Sequence, residues 1–503
     1  MKNLNKSREK LDKIDSQIIK LLENRMKIVK DIGIYKLENN LNITDSSRED
    51  IIIENLKKQI SKEFENIVEP IYDRIFHQSK EIISQIKDKN FKYGLIGESL
   101  SHSKSAEIHS MFGRYNYHLK NIERDKLEEF FTKRNFNGIN VTIPYKKKSI
   151  KYLDDLHPLA QKIGAVNTIV NKNGKLIGYN TDYLGFDYSL KFFDINLKDK
   201  KVLILGSGGA SKMVEEYCKD NLAKNIVIIS RNGENNYHNL ENYKDFNVII
   251  NATPVGMYPH NLESKVDISI FDDLDFVIDL IYNPLNTKLI LDAKKNNIKT
   301  MPGLLMLVAQ AFYACELFVD EKLDESLISK VYKKIKRDML NIVFIGMPAS
   351  GKTTMAKLLA DKLNREFWDT DVLIEEKENS SIPTIFKTKG ETYFRSLETK
   401  VLEEVSKKTG VVIATGGGTI LKKVNRNLIL QNSFVIYLDR EIENLETVNR
   451  PLSKNLDSLK EIYSNRSEIY NQLSNLKTKV IENKTKTLEL ILEGLKKDEN
   501  FSN

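Results

Sequence analysis

The sequence predicts a multidomain fold, with an all-α helical N-terminal domain followed by α/β domains. Three observations carry that expectation. Residues 1 to about 88 hold one glycine, Gly33, and one proline, Pro70, while apolar residues recur at helical spacing through Leu11, Ile14, Ile18, Leu21, Leu22, Met26 and Val29. From Tyr93 onward strand-like and helix-like runs alternate, the mark of an α/β architecture. Twice an apolar run enters a glycine turn that opens a helical stretch, at residues 202–211 and 342–363. A length of 503 residues fits about three domains.

The first segment reads as helices over residues 7–39, 47–66 and 70–87. Three such helices make little core alone, so a dimer that shares its core is expected. Arg25 and Lys36 are eleven positions apart and share a helix face, whereas Arg8, seventeen before Arg25, points elsewhere. Asp45-Ser46-Ser47-Arg48-Glu49 follows, in which Ser46 and Glu49 also read as a capping box. With Ser79, these residues resemble the all-helical chorismate mutases across residues 1–88. The rearrangement of chorismate to prephenate needs no nucleophile, only a held conformer and stabilised charge on the breaking ether bond. The resemblance implies that Arg25, Arg48 and the other subunit's copy of Arg8 hold carboxylates. It puts Lys36 at the ether oxygen and Glu49 at the hydroxyl, with Asp45 and Ser79 completing the set. One departure stands four residues after Ser79, where Ile83 occupies the place of the family's glutamine donor. The segment therefore reads either as a mutase or as a dimerising module that senses chorismate or prephenate.

In the middle segment, Gly206, Gly208, Gly209, Ala210 and Ser211 follow a strand and open a helix, the dinucleotide-binding turn of a Rossmann domain. The next strand ends Ser230-Arg231-Asn232. An arginine there can pair with a 2′-phosphate, so NADP(H) is expected over NAD. Around this turn stand Ser101-His102-Ser103, Asn140-Val141-Thr142 through Lys146, Ala165-Val166-Asn167, Asn180-Thr181-Asp182, Tyr282-Asn283-Pro284 and Gly303 through Gln310. In this order they resemble shikimate dehydrogenase over residues 92–335. The resemblance implies a substrate part over about 92–190 and 300–335, and an NADP part over about 191–299. It makes Lys146 and Asp182 the catalytic pair and sets Ser101 and Ser103 on the substrate carboxylate. Thr142, Asn167 and Gln310 would read hydroxyls, Tyr282 would touch substrate, and Ser230 and Gly303 would touch the cofactor. A carboxylate beside the lysine would keep it charged and ready to donate. The nearest alternative within the fold is an NAD-linked quinate dehydrogenase.

Residues 346–353, Gly-Met-Pro-Ala-Ser-Gly-Lys-Thr, sit between an apolar strand and a helix, which is the P-loop arrangement. The backbone around Gly346, Ala349, Ser350, Gly351, Lys352, Thr353 and Thr354 can wrap a polyphosphate, Lys352 can reach the transferred phosphate, and the Thr353 hydroxyl can ligate Mg²⁺. Asp369 and Asp371 close a short strand and are expected on one side of it. Phe394-Arg395, Gly416-Gly417-Gly418, Arg450-Pro451-Leu452 and Arg466 complete a pattern that resembles shikimate kinase over residues 340–503. The resemblance implies that Asp371 holds the acceptor hydroxyls and takes the proton, while Asp369 assists Mg²⁺ through water. Arg395, Arg466, Gly417 and Gly418 would hold the acceptor carboxylate, and Arg450 would close over the phosphates of ATP. The stretch 443–450 is shorter than the family's lid and lacks its adenine-stacking arginine.

Together these readings imply reduction of 3-dehydroshikimate, phosphorylation of shikimate and rearrangement of chorismate. The net charge of +8 comes from scattered lysines without arginine–aromatic blocks, so small anions rather than nucleic acid are the expected ligands. Cys218 and Cys315 alone argue against disulfides and zinc, which fits a cytoplasmic setting. No apolar run approaches the roughly 20 residues of a membrane span. The start lacks the apolar core of a signal peptide, and the polar tail after Leu495 is expected to be disordered.

Overall fold

The computed structural model describes residues 2–38, 46–89, 91–100, 103–113, 115–445 and 456–501. Asp45, Ser101 and Arg450, and with Arg450 most of the expected lid, lie outside the described residues.

The first segment is α1 (Lys2–Glu38), α2 (Ser46–Lys57) and α3 (Val68–Lys89). The second helix ends at Lys57 rather than near residue 66. Ser61 is extended (φ −64°, ψ 147°) and a 3-10 turn, Lys62–Ile67, intervenes before α3. Pro70 then sits inside the first turn of α3, where its missing N–H costs nothing. α1 leaves Leu11, Ile14, Ile18, Leu21, Ile28 and Ile32 roughly half exposed or more.

The middle segment holds two sheets. β1 (Tyr93–Gly97), β2 (Tyr117–Asn121), β3 (Gly138–Val141), β4 (Asp155–Leu156), β5 (Thr168–Lys172) and β6 (Lys175–Tyr179) order as 2-1-3-5-6-4. β5 runs antiparallel to β3 and β6. The helices among them are α4 (Ser105–Phe112), α5 (Leu127–Lys133) and α6 (Pro158–Ile163). α7 (Thr181–Phe192) leads to the second sheet, β7 (Lys201–Leu205), β8 (Asn225–Ile229), β9 (Val248–Asn251), β10 (Phe276–Asp279) and β11 (Lys299–Pro302), ordered 11-10-9-7-8 and all parallel. Alternate residues feed opposite cores, Val202, Ile204 and Ile250 on one face and Leu203, Leu205 and Ile249 on the other. A parallel sheet is stable only when both faces are covered in this way. α8 (Gly209–Asp220) follows β7 and α9 (Lys288–Lys295) precedes β11. α10 (Leu304–Val319) then returns to the first sheet, where Phe318 packs with Leu95 and Val170, and α11 (Ser326–Met339) follows. α7 and α10 meet closely because position 185 is glycine: a Cβ there would lie 2.8 Å from the Gln310 nitrogen and the Met306 carbonyl.

The last segment is built on a third sheet, all parallel, of β12 (Asn341–Ile345), β13 (Phe367–Asp369), β14 (Val412–Ala414), β15 (Ser433–Asp439) and β16 (Leu476–Lys479), ordered 13-14-12-15-16. Its helices are α12 (Lys352–Leu363), α13 (Thr370–Glu378), α14 (Ile382–Ser406), α15 (Lys423–Gln431), α16 (Leu456–Leu473) and α17 (Lys484–Lys497). β12 is buried along its whole length between two apolar layers. The tail departs from expectation. α17 runs to Lys497, and Phe501 packs edge-on against Phe434 with ring centroids 5.1 Å apart, so one apolar residue anchors the polar end.

Candidate active sites

In the middle segment, the chain after β3 and the first turn of α7 bring Lys146 and Asp182 together. The Lys146 Nζ donates to Asp182 Oδ2 at 2.6 Å, with the two side chains 23% and 13% exposed. Asn180 caps α7 by accepting from the Tyr183 N–H, which fixes the turn bearing Asp182. Beside them, Asn167 Oδ1 accepts from the Thr181 N–H at 2.7 Å, and its Nδ2 donates to Thr181 Oγ1 at 3.0 Å and to Gln310 Oε1 at 3.2 Å. Four distant stretches thus converge on one polar cluster. Thr142 closes the end of β3, its N–H donating to the Ile96 carbonyl, and Ser103 Oγ accepts from the Ser105 N–H at the start of α4. Tyr282 is half-buried, and burial pushes its hydroxyl pKa up.

The glycine turn joins β7 of the second sheet to α8. Gly206 has φ 105° and its Cβ would meet Thr253 Cγ2 at 2.8 Å, so only glycine fits. Added Cβ atoms on Gly208 and Gly209 would meet nothing within 4 Å, which leaves room at the N-terminus of α8. Ala210 follows in the first turn of α8, and Ser211 is buried there with no hydrogen-bond partner for its hydroxyl among the described residues. Ser230 and the exposed Arg231 follow β8. Gly303 packs so tightly that a Cβ would lie 2.3 Å from the Leu280 carbonyl.

In the last segment the loop after β12 folds back on itself. Gly346 (φ 147°) and Gly351 (φ 90°) take backbone conformations that favour glycine. The buried Lys352 ammonium donates to the carbonyls of Gly346 and Met347 at 3.1 and 2.8 Å. Thr353 Oγ1 donates to Asp369 Oδ2 at 2.7 Å, bringing two oxygen donors together. Ala349 has φ 63°, Thr354 lies in the first turn of α12, and the buried Ser350 hydroxyl has no partner among the described residues. The two aspartates are not strand neighbours as expected. β13 ends at Asp369, which caps α13 by accepting from the N–H groups of Asp371 and Val372, so Asp371 belongs to the helix. A Cβ on Gly416 would lie 2.7 Å from Asp371 Oδ1, which places this carboxylate against the glycine triplet. Arg466 Nη1 and the Tyr470 hydroxyl donate to the Gly417 carbonyl at 3.0 and 2.5 Å. Arg395 lies across Gly418 and pairs with the buried Glu398 at 2.9 Å and with Glu391.

In the helical segment, Arg25 Nη1 donates to Ser79 Oγ at 2.8 Å and its guanidinium lies over the Phe76 ring. Glu49 accepts from Lys80 at 2.8 Å, a partner that the sequence reading missed. Lys36 is half-buried near the end of α1, Arg48 is exposed on α2, and Arg8 is exposed near the start of α1. At 1.5 Å rise per residue, Arg8 stands about 25 Å along the helix from Arg25.

Three family descriptions match the chain in order: "Chorismate mutase type II" over residues 7–84, "Shikimate dehydrogenase substrate binding domain" over 95–169 and "Shikimate kinase" over 348–496. The NADP(+) shikimate dehydrogenase of Clostridium perfringens (strain 13) is 38% identical over 268 residues, covering 48% of this chain and 98% of that protein. The chain belongs to the shikimate dehydrogenase family. The corresponding protein of Clostridium beijerinckii is 38% identical over 259 residues, covering 48% of this chain and 96% of its own length. Among solved structures, a chorismate mutase/shikimate 5-dehydrogenase fusion protein from Clostridium acetobutylicum is similar, with 38% identity, a TM-score of 0.47, and coverage of 49% of this chain and 97% of that one. The chain is a multifunctional enzyme that joins chorismate mutase, shikimate dehydrogenase and shikimate kinase domains.

The residues present fit the implied cofactors. The open space over Gly208 and Gly209 at a helix N-terminus suits a pyrophosphate. The space over Gly351 and the Ser350 hydroxyl, without a partner among the described residues, suit the phosphates of ATP. Thr353 and Asp369 suit Mg²⁺, which keeps several waters and takes few protein ligands. Other features near the dehydrogenase turn escaped the sequence reading. Lys147 lies near Lys212 of α8, and burial, with that second ammonium, lowers the Lys147 pKa. Asp279 is fully buried, and burial pushes its pKa up to about 7. It accepts from Asn251, the Ile281 N–H and Thr287, tying the ends of β9 and β10 together. No spacing rule announces such a tie between carboxylate, amide and hydroxyl.

Proposed function

We propose that the middle and last segments perform consecutive steps, reduction of 3-dehydroshikimate to shikimate and phosphorylation of shikimate at O3. One observation carries this reading most directly: the Lys146–Asp182 pair stands beside Asn167 and Gln310, which supplies a proton donor and hydroxyl-reading amides in one cluster. NADPH supplies the hydride when bound, and ATP with Mg²⁺ supplies the phosphoryl group. Lys146 gives the proton to the new alcohol oxygen, while Asp182 holds and aims its ammonium group. Ser101 and Ser103 hold the carboxylate, Thr142 a hydroxyl and Tyr282 the ring. Gly206, Gly208, Gly209, Ala210, Ser211 and Gly303 line the cofactor, with Ser230 and Arg231 at its 2′-phosphate. In the kinase, Arg395, Arg466 and the backbone of Gly417 and Gly418 hold the acceptor acid, and Asp371 takes the hydroxyl proton. Lys352 and Arg450 balance charge on the moving phosphoryl group. Purified protein should consume NADPH on addition of 3-dehydroshikimate. NADPH left unchanged would contradict the assignment.

The helical segment is proposed to rearrange chorismate as a homodimer. Arg25, Arg48 and Arg8 hold carboxylates, Lys36 and Glu49 attend the ether oxygen and hydroxyl, and Asp45 and Ser79 support them. The apolar residues left uncovered on α1 support the dimer, as does the distance of Arg8 from Arg25 within one subunit. Ile83 favours a second reading, a chorismate- or prephenate-sensing module. Loss of chorismate absorbance separates the two. A mutase should turn chorismate over, and Arg25→Ala should slow it by about a hundredfold or more, the worth of a preorganised donor at a charged group. Binding without turnover would leave the sensor. The two buried cysteines support a reducing, cytoplasmic setting, and no described helix is long and apolar enough to cross a membrane.

A further inference from the structure

Two loops leave the carboxyl ends of β9 and β10, the edge at which an open parallel sheet binds its ligands. The first loop lies against the cofactor turn, where Thr253 fills the space a side chain at Gly206 would need. The second carries Tyr282. Asn251 and Asp279 join the two at their roots through a 3.0 Å hydrogen bond. The far ends of both loops are held by the kinase domain.

The contacts are specific and buried. Gln431, the last residue of α15, donates from Nε2 to the Asn261 carbonyl at 2.5 Å and accepts from Asn261 Nδ2 at its own Oε1. Its backbone carbonyl accepts from the Asn286 N–H at 2.9 Å. Asn432 Oδ1 accepts from the Leu285 N–H at 3.4 Å, and its Nδ2 donates to the Met339 carbonyl. The Tyr258 hydroxyl donates to the Ser406 carbonyl at 3.0 Å, and Leu262 packs on the kinase core. Asn261, Gln431 and Asn432 are all but fully buried. Leaving such amides unpaired is costly, so a buried network of this kind permits few alternative alignments.

We propose that Gln431 and Asn432 are positioning residues for the dehydrogenase: the kinase domain holds both loops in the shape that NADPH binding requires. The inference rests on the middle segment being the NADPH-dependent reductase. Neither residue touches the cofactor; each acts through the loop it holds. The clamp is also one helix away from the acceptor grip, because α15 starts just beyond the glycine triplet and Asn425 Nδ2 donates to the Thr419 carbonyl at 2.9 Å.

In the full-length protein, Gln431→Ala should raise both the NADPH Kd, read by fluorescence titration, and the NADPH KM by about fivefold, near the worth of one net hydrogen bond. Kinase turnover should hold steady. Hydrogen exchange over residues 252–262 and 280–287 should quicken in the variant without ligand. Asn261→Ala should give the same shift, and the double variant should add little to it. Tyr258→Phe, which removes a single hydroxyl, tests the same point with less risk to folding and should shift the Kd in the same direction. An unchanged Kd with unchanged exchange would overturn the proposal, as would a parallel loss of both activities. An unmodified chain that binds no NADPH would overturn the reductase assignment itself.

Discussion

Replacing Lys146 with methionine should slow reduction of 3-dehydroshikimate by about a thousandfold, within the range that a positioned acid–base group contributes. The effect should fall on kcat, with NADPH binding nearly unchanged. Lys146 pairs with Asp182 beside Asn167 and Gln310, whereas the glycine turn that would take the cofactor belongs to the second sheet. Methionine keeps the length of the stem and removes the proton donor. The side chain is about one quarter exposed, so folding should tolerate the change. Shikimate phosphorylation by the same preparation is the internal control and should remain at its original rate. A KM effect without a kcat effect would remove Lys146 from the chemistry.

Replacing Asp371 with asparagine should lower shikimate phosphorylation by about a hundredfold to ten-thousandfold, again the reach of a general base. Asp371 lies in the first turn of α13 against Gly416, with Asp369 at the end of β13 fixing that turn. The asparagine keeps shape and loses charge, so ATP binding should persist. Arg395→Ala would be a poorer probe of chemistry. Glu398 is 1% exposed and pairs with Arg395, so truncation would strand a buried carboxylate at a cost of about 3–5 kcal/mol. Kinetics of Asp371→Asn, with NADPH oxidation as the control, separate chemistry from folding. Unimpaired phosphorylation would assign the proton elsewhere.

Much of this architecture was legible because local rules dictate it. An apolar strand feeding a glycine turn and a helix has one sensible geometry, and both such turns formed where the spacing placed them. The Lys146–Asp182 pair was legible only through resemblance, because thirty-six residues separate its members. Where local signals competed, the reading slipped. Asp369 and Asp371 looked like strand neighbours, but an aspartate that accepts from the next N–H groups starts a helix instead. The second helix looked continuous because nothing in its composition marks Ser61 as extended. The clasp of Asn261 and Gln431 was out of reach, because amides 170 positions apart carry no pattern until two domains dock.

The central claim is that one chain holds complete, consecutive reductase and kinase sites. It is tested most directly by giving the intact protein 3-dehydroshikimate, NADPH, ATP and Mg²⁺ and following products by mass spectrometry. The account predicts shikimate 3-phosphate, with NADPH and ATP consumed in equal amounts. It also predicts that Lys146→Met stops at 3-dehydroshikimate and Asp371→Asn stops at shikimate. Phosphorylated product from either variant at the unmodified rate, or none from the unmodified chain, would contradict it.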